Sequence, residues 1–131
     1  LTASAVDCSS GDIIQALTVP ADSVILWAGM QVTESATQNT GTDATITLGT
    51  AVDPDEYITA FDIDGATDLV YAPTVAQAGV LVSPSSDTLD LTFAGSGATF
   101  TAGKLRVFAM LMDVSEVGEH TAQTVDRDTL A

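Results

Sequence analysis

Apolar and polar side chains alternate along several short stretches of this chain, and long helical patterns are absent. Leu89, Leu91 and Phe93, for example, are separated by single polar residues. A period of two is typical of a β-strand with one face toward a core and the other toward water. Strands are predicted at residues 13–19, 23–33, 45–48, 80–82, 88–93 and 104–114, with residues 2–6 and 69–71 as two further candidates.

Turn-forming residues separate these stretches, as in Pro20-Ala21-Asp22 and Gly95-Ser96-Gly97. Short strands joined at this spacing indicate a single all-β domain, either a sandwich or a barrel. Residues 55–63 are the one place where a helical turn is expected. We divide the chain into an N-terminal segment (1–10), a β-sandwich domain (11–114) and a polar C-terminal tail (115–131).

Charge and hydropathy restrict the partners of the chain. Eighteen acidic residues face three basic ones, for a net charge of -15, while 46% of the residues are hydrophobic. That apolar share separates the chain from disordered acidic tails. An acidic surface repels nucleic acid and anionic membranes, so neither is expected as a partner. We see no signal peptide and no apolar run long enough to span a bilayer. The sequence does not say whether residues precede Leu1.

Residues of catalytic type are few. The one histidine, His120, falls in the polar tail, and the one cysteine, Cys8, has no neighbouring cation in sequence to lower its pKa. We therefore expect no enzymatic activity, no zinc site and no cofactor.

Acidic residues concentrate between positions 53 and 68. The spacing Asp62-x-Asp64-Gly65 is similar to the start of an EF-hand calcium loop, but the glycine comes fourth rather than sixth and no glutamate closes twelve residues. A solvated acidic loop explains the same residues. The calcium candidates are Asp62, Asp64 and Asp68. For a calcium-dependent hydrolase, the acid pairs would be Asp53 with Asp55 or Asp62 with Asp64.

Two predicted strands are apolar on both faces. In residues 23–33 one face carries Val24, Leu26, Ala28, Met30 and Val32, and the other carries Ile25, Trp27 and Gly29. We expect Trp27 to be substantially buried. In residues 104–114 the aliphatic row Leu105, Val107, Ala109 and Leu111 is assigned to the core. The opposite face could be covered by a loop of the same chain or by another subunit. We predict the second, an interface formed by Phe108, Met110, Met112, Lys104 and Arg106.

The order of strands and turns resembles that of small structural proteins of tailed bacteriophages, especially cyanophages and marine phages. The segments that carry the resemblance are residues 11–22, 24–32, 44–49, 53–58, 86–92 and 102–108, within a likeness over 11–114. The resemblance implies a jelly-roll-like antiparallel β-sandwich. It further implies a capsid decoration or cement protein on the outer surface of the virion, with the major capsid protein as partner.

The same resemblance implies a homo-oligomer, with a trimer favoured over a dimer, and a tail that becomes ordered on a neighbouring subunit. A second function stays open, because similar sandwiches occur in phage fibre and tail modules that bind receptors or glycans. Such a module would need an aromatic groove, and aromatic residues make up only 5% of this chain. The hydrolase is the third possibility.

Overall fold

The computed structural model describes residues 7–39, 44–65, 69–72, 82–83, 85–95 and 99–115. The predicted strand at residues 2–6 and residues 116–131 of the tail lie outside them. Within these ranges every pairing between strands is antiparallel. The strands are β1 (Cys8–Ser9), β2 (Ile13–Val19), β3 (Ser23–Gln38), β4 (Thr45–Gly49), β5 (Ile58–Asp62), β6 (Leu69–Ala72), β7 (Val82–Ser83), β8 (Asp87–Ala94) and β9 (Thr99–Asp113).

The strands form two sheets that pack face to face. One is five-stranded, with the order β1-β9-β3-β6 and β7 paired to the beginning of β3. The other is four-stranded, with the order β2-β8-β4-β5. The prediction of a single-domain antiparallel β-sandwich is confirmed.

The strand order is that of a jelly roll. If the chain is folded back at the connection between β4 and β5, these two strands pair with each other. Moving outward from this connection, β3 pairs with β6, β2 with β8 and β1 with β9. This long double ribbon then winds so that successive pairs fall in alternate sheets, which is the topology of jelly rolls.

The core lies between the two inner faces. The four-stranded sheet contributes Ile46 and Leu48 from β4 and Leu89, Leu91 and Phe93 from β8, all buried. The alternation of apolar and polar residues therefore identifies the inner faces of β4 and β8 correctly, because both are central strands whose inner face packs on the other sheet. The inner face of the five-stranded sheet contributes Ala28, Met30, Val32 and Phe100.

A β-bulge in β3 corrects one prediction. The register of β3 against β9 shifts between Ile25, opposite Leu111, and Trp27, opposite Met110, so Leu26 has no partner there. Leu26 is 37% exposed instead of lying on the core face. An unpaired bulge residue interrupts the period of two. The prediction assumed that the alternation continues without interruption through residue 26, so it assigned Leu26 to the wrong face.

The prediction of a helical turn in residues 55–63 is wrong. Ile58–Asp62 forms β5, which pairs with the edge of β4. The backbone N–H of Tyr57 donates to the carbonyl of Leu48 at 3.0 Å and continues this ladder. Pairing with the β4 edge satisfies backbone groups that one isolated helical turn would leave without partners.

Candidate interaction surface

The outer face of the five-stranded sheet carries a row of large apolar side chains. Residues directly opposite each other in an antiparallel pair point to the same face, and Trp27 lies opposite Met110 while Gly29 lies opposite Phe108. The rings of Trp27 and Phe108 meet edge to face, with centroids 5.6 Å apart. Met112 continues the row by alternation along β9. We call Trp27, Phe108, Met110 and Met112 the outer apolar row.

The exposure of this row is uneven. Trp27 and Phe108 are half-buried, whereas Met110 and Met112 are each 47% exposed. Trp27 is partly buried but lies on the outer face, because it alternates along β3 with Ala28, whose side chain is in the core. The two methionines leave apolar surface in water that the sandwich itself does not cover.

The inner row of β9 matches the prediction except at one end. Leu105, Val107 and Ala109 pack against the core. Leu111 is 38% exposed and lies opposite Ile25, which is itself only partly buried. This pair lies at the margin of the core, where the opposing sheet no longer covers it fully.

Two of the chain's three cations flank the outer apolar row. Lys104 forms an ion pair across the strands with Glu34, and both side chains are largely exposed. Hydrogen bonding to Glu34, followed by its charge, raises the pKa of Lys104. Arg106 is exposed opposite Gln31, and in the described ranges no acid pairs with it.

The calcium candidates that the structure describes are engaged in a local turn. The Oδ1 atom of Asp62 accepts hydrogen bonds from the backbone N–H groups of Asp64 at 3.0 Å and Gly65 at 3.2 Å. Hydrogen bonding with the side chain of Asp64, and then with these N–H groups, lowers the pKa of Asp62. Gln38 donates to Oδ2 of Asp64. Asp68 lies outside the described residues, and in the rest no three acidic, histidine or cysteine side chains form a metal-binding group.

The turn that contains Asp53 and Asp55 folds over Gly49. The carbonyl of Asp53 accepts from the N–H groups of Thr50 at 2.8 Å and Glu56 at 3.3 Å, and Thr47 Oγ1 donates to the carbonyl of Pro54. Burial, and then the charge of Asp53, raise the pKa of Glu56. The backbone contacts of Asp53 thus hold the turn closed.

Asp90 is a polar residue that the sequence analysis did not single out. It alternates with Leu89 and Leu91, so it was expected to face water, yet it is only 5% exposed. Its partner on β4 is Gly49, over which the turn of Asp53 folds, and its partner on β2 is Gln15. Asp90 Oδ1 and Thr92 Oγ1 lack a hydrogen-bond partner among the described residues. A loop that covers an outer face leaves no signal in strand periodicity.

The remaining residues of catalytic type do not form a described site. His120 lies outside the described residues. Cys8 is partly buried in β1, and burial, followed by the charges of Asp12 and Asp7, raises the pKa of its thiol. A raised pKa lowers the thiolate fraction and hence the reactivity at neutral pH.

Comparison with protein-family models, with curated protein sequences and with solved structures finds no match. Within the described ranges the chain also forms no helix with the length and hydropathy needed to cross a membrane.

Proposed function

We propose that this chain is an assembly protein that binds other protein subunits through the outer apolar row. The observation that carries the proposal is the pair of methionines, each 47% exposed, beside the half-buried Trp27 and Phe108. Complete burial of a methionine side chain contributes roughly 1.5–3 kcal/mol, and its flexible thioether adapts to the surface it meets. Arg106 at the border of the row can pair with an acid of the partner.

The particular form that we propose is a virion structural protein of the decoration or cement type, without enzymatic activity. It would lie on the outer surface of a phage capsid and bind the major capsid protein. The resemblance of strands and turns over residues 11–114 supports this assignment, and the jelly-roll order suits it because this architecture recurs in viral capsid domains. Architecture alone does not define function, so the site carries the argument.

Binding to the assembled shell explains how such a protein would act. A ligand that binds the assembled state and not the dissociated one stabilises the assembled state by mass action. A net charge of -15 gives decorated particles an acidic exterior that keeps them apart. Self-association, as a trimer in preference to a dimer, would repeat the outer apolar row around a symmetry axis and bury it.

Substitution of Met110 by Asp tests the proposal, because it places a charge in the centre of the proposed contact. Val52→Asp is the matched control, since Val52 is 92% exposed and lies outside the β-strands. We expect Met110→Asp to lower the oligomeric mass in analytical ultracentrifugation and to weaken co-sedimentation with capsids of the virus that encodes the chain. Val52→Asp should behave as the parent does.

Two results would contradict the proposal. Equal mass and equal capsid binding for the parent and both variants would remove the outer apolar row as an interface. A particle reconstruction that placed the chain on a fibre would instead support the receptor-binding alternative. If Met110→Asp fails to fold, Met110→Gln tests the same contact without a charge.

A further inference from the structure

Asp90 in β8 carries a carboxyl group that is buried without a hydrogen-bond partner. The residue is only 5% exposed, and its Oδ1 atom has no donor among the described residues. Thr92 lies two residues further along the same face of β8, and its buried hydroxyl oxygen has no partner there either. Burial of a carboxylate is costly unless hydrogen bonds, an opposite charge or a metal ion compensate it. The outer face of the four-stranded sheet thus holds two buried oxygens that call for a ligand.

The strand register places Asp90 and Thr92 beneath the turn of residues 50–56. Asp90 alternates with residues of the core, so its side chain points to the outer face. On β4 its partner is Gly49, and the partner of Thr92 is Thr47. Residues directly opposite each other in an antiparallel pair point to the same face. The turn follows Gly49 and folds back over it, so it covers this part of the outer face.

Two backbone carbonyl groups of the turn come close to the Asp90 carboxyl group. A Cβ atom on Gly49 would lie 2.1 Å from the carbonyl oxygen of Asp53 and 2.7 Å from that of Pro54. The Cβ positions of directly opposed residues are roughly 4.5–5.5 Å apart, so both oxygens lie beside Asp90. Thr47 Oγ1 donates to the carbonyl of Pro54 at 2.7 Å and holds it over the sheet.

The hydrogen-bond donors around this position are already engaged. Four backbone N–H groups of the turn and its exit donate to oxygens of the turn itself or of β4, namely those of Thr50, Asp53, Glu56 and Tyr57. The basic residues in the described ranges, Lys104 and Arg106, lie on β9 in the other sheet. The Asp90 carboxyl group therefore lies among oxygen atoms, which are the ligands that a hard cation prefers.

We propose that a calcium ion binds between β8 and the turn of residues 50–56. The ligands that the chain offers are Asp90 Oδ1, Thr92 Oγ1 and the carbonyl oxygens of Asp53 and Pro54. Calcium takes about six to eight oxygens in flexible geometry, including carboxylates, backbone carbonyls and water, whereas magnesium demands a near-ideal octahedron. The ion would fasten the turn to the sheet, because two ligands belong to each. This proposal is independent of the assembly function.

Differential scanning calorimetry of the full chain in calcium chloride tests the proposal, with magnesium chloride and sodium chloride at equal ionic strength as comparisons. Those two salts measure how far screening of the net charge of -15 stabilises the fold by itself. We expect a large excess of calcium to raise the Tm by about 4 °C or more above them. Asp90→Asn should abolish this additional rise and weaken calcium binding about tenfold or more in isothermal titration calorimetry. Asp55→Asn removes an exposed carboxylate of the same turn and should behave as the parent does.

An equal rise of the Tm in all three salts would overturn the proposal, as would unchanged calcium binding in Asp90→Asn. Loss of binding in Asp62→Asn together with full binding in Asp90→Asn would place the ion at the other acidic turn, which also overturns it. If Asp90→Asn does not fold, Thr92→Val and Thr92→Ser decide, since only the second keeps a hydroxyl oxygen. We expect weaker calcium binding for Thr92→Val alone, and equal binding by these two variants would contradict the site.

Discussion

The ring of Trp27 meets the ring of Phe108 edge to face, with an angle of 72° between their planes, across the β3–β9 pair. This contact lies on the outer face of the five-stranded sheet, opposite the core. Two half-buried aromatic rings therefore cover the middle of the outer face, next to the more exposed methionines of β9.

Replacement of Trp27 by Ala should cost less stability than a core substitution. The ring is half-buried, and an aromatic pair contributes about 0.5–1.5 kcal/mol beyond its buried area, so we expect a loss of about 1–2 kcal/mol. Met30→Ala, at a residue with no exposure, should cost about 2–5 kcal/mol. Urea denaturation measures both. A loss for Trp27→Ala equal to that for Met30→Ala would mean that the tryptophan belongs to the core.

Replacement of Gly49 by Ala should destabilise the four-stranded sheet. A Cβ atom at this position would lie 2.1 Å from the carbonyl oxygen of Asp53 and 2.4 Å from the carbonyl carbon of Pro54. Both atoms belong to the backbone, so the turn must move, and we expect a loss of about 1–3 kcal/mol in urea denaturation. Gly11→Ala is the comparison, because no atom lies within 4 Å there and only its positive φ of 93° opposes the change. Equal effects would show that the turn yields freely.

Replacement of Asp62 by Ala should destabilise the protein at neutral pH and have less effect in acid. The variant loses the hydrogen bonds from the N–H groups of Asp64 and Gly65, for about 0.5–1.5 kcal/mol. Because the pKa of Asp62 is lowered in the folded state, its contribution is present above the ordinary value of 3.8 and is lost as the pH falls through the folded value.

Urea denaturation at about pH 7 and about pH 3 measures the Asp62 difference. Asp55→Ala is the control, since Asp55 is exposed and has no side-chain hydrogen bond among the described residues. A difference between parent and Asp62→Ala that is unchanged in acid would contradict the prediction.

Alkaline pH should destabilise the protein through Tyr57. Burial, and then the charge of Glu56, raise the pKa of this phenol to about 12. Its contribution to stability is therefore complete below the ordinary value of 10.0 and declines as the pH rises toward the folded value. Tyr57→Phe removes this titration, so its stability should fall less than that of the parent between about pH 9 and about pH 11. Parallel curves for both proteins would contradict the raised pKa.

Much of the strand content could be predicted from periodicity, since Ile13–Val19 forms as expected and the alternating residues of β4 and β8 face the core. The outcome for Leu26 could not, because a bulge depends on how β3 pairs with β9. The strand Ile58–Asp62 was missed for a related reason, since it forms by pairing with the edge of β4. For the candidate site, the alternation along β9 correctly placed Phe108 and Met110 on one face of the sheet and Val107 and Ala109 on the other.

The sequence alone determined the all-β class, the inner row of β9 and the acidic surface. These follow from the alternation of apolar and polar residues and from the excess of acidic side chains, which can be read without knowing any contact between distant residues. Only the tertiary structure decided that Leu26 lies outside the core, that Asp90 is buried beneath a turn, and that the strands follow a jelly-roll order. Each of these depends on contacts between residues far apart in the chain. Such contacts arise when sheets pair and pack, and the spacing of side chains along one strand does not encode them.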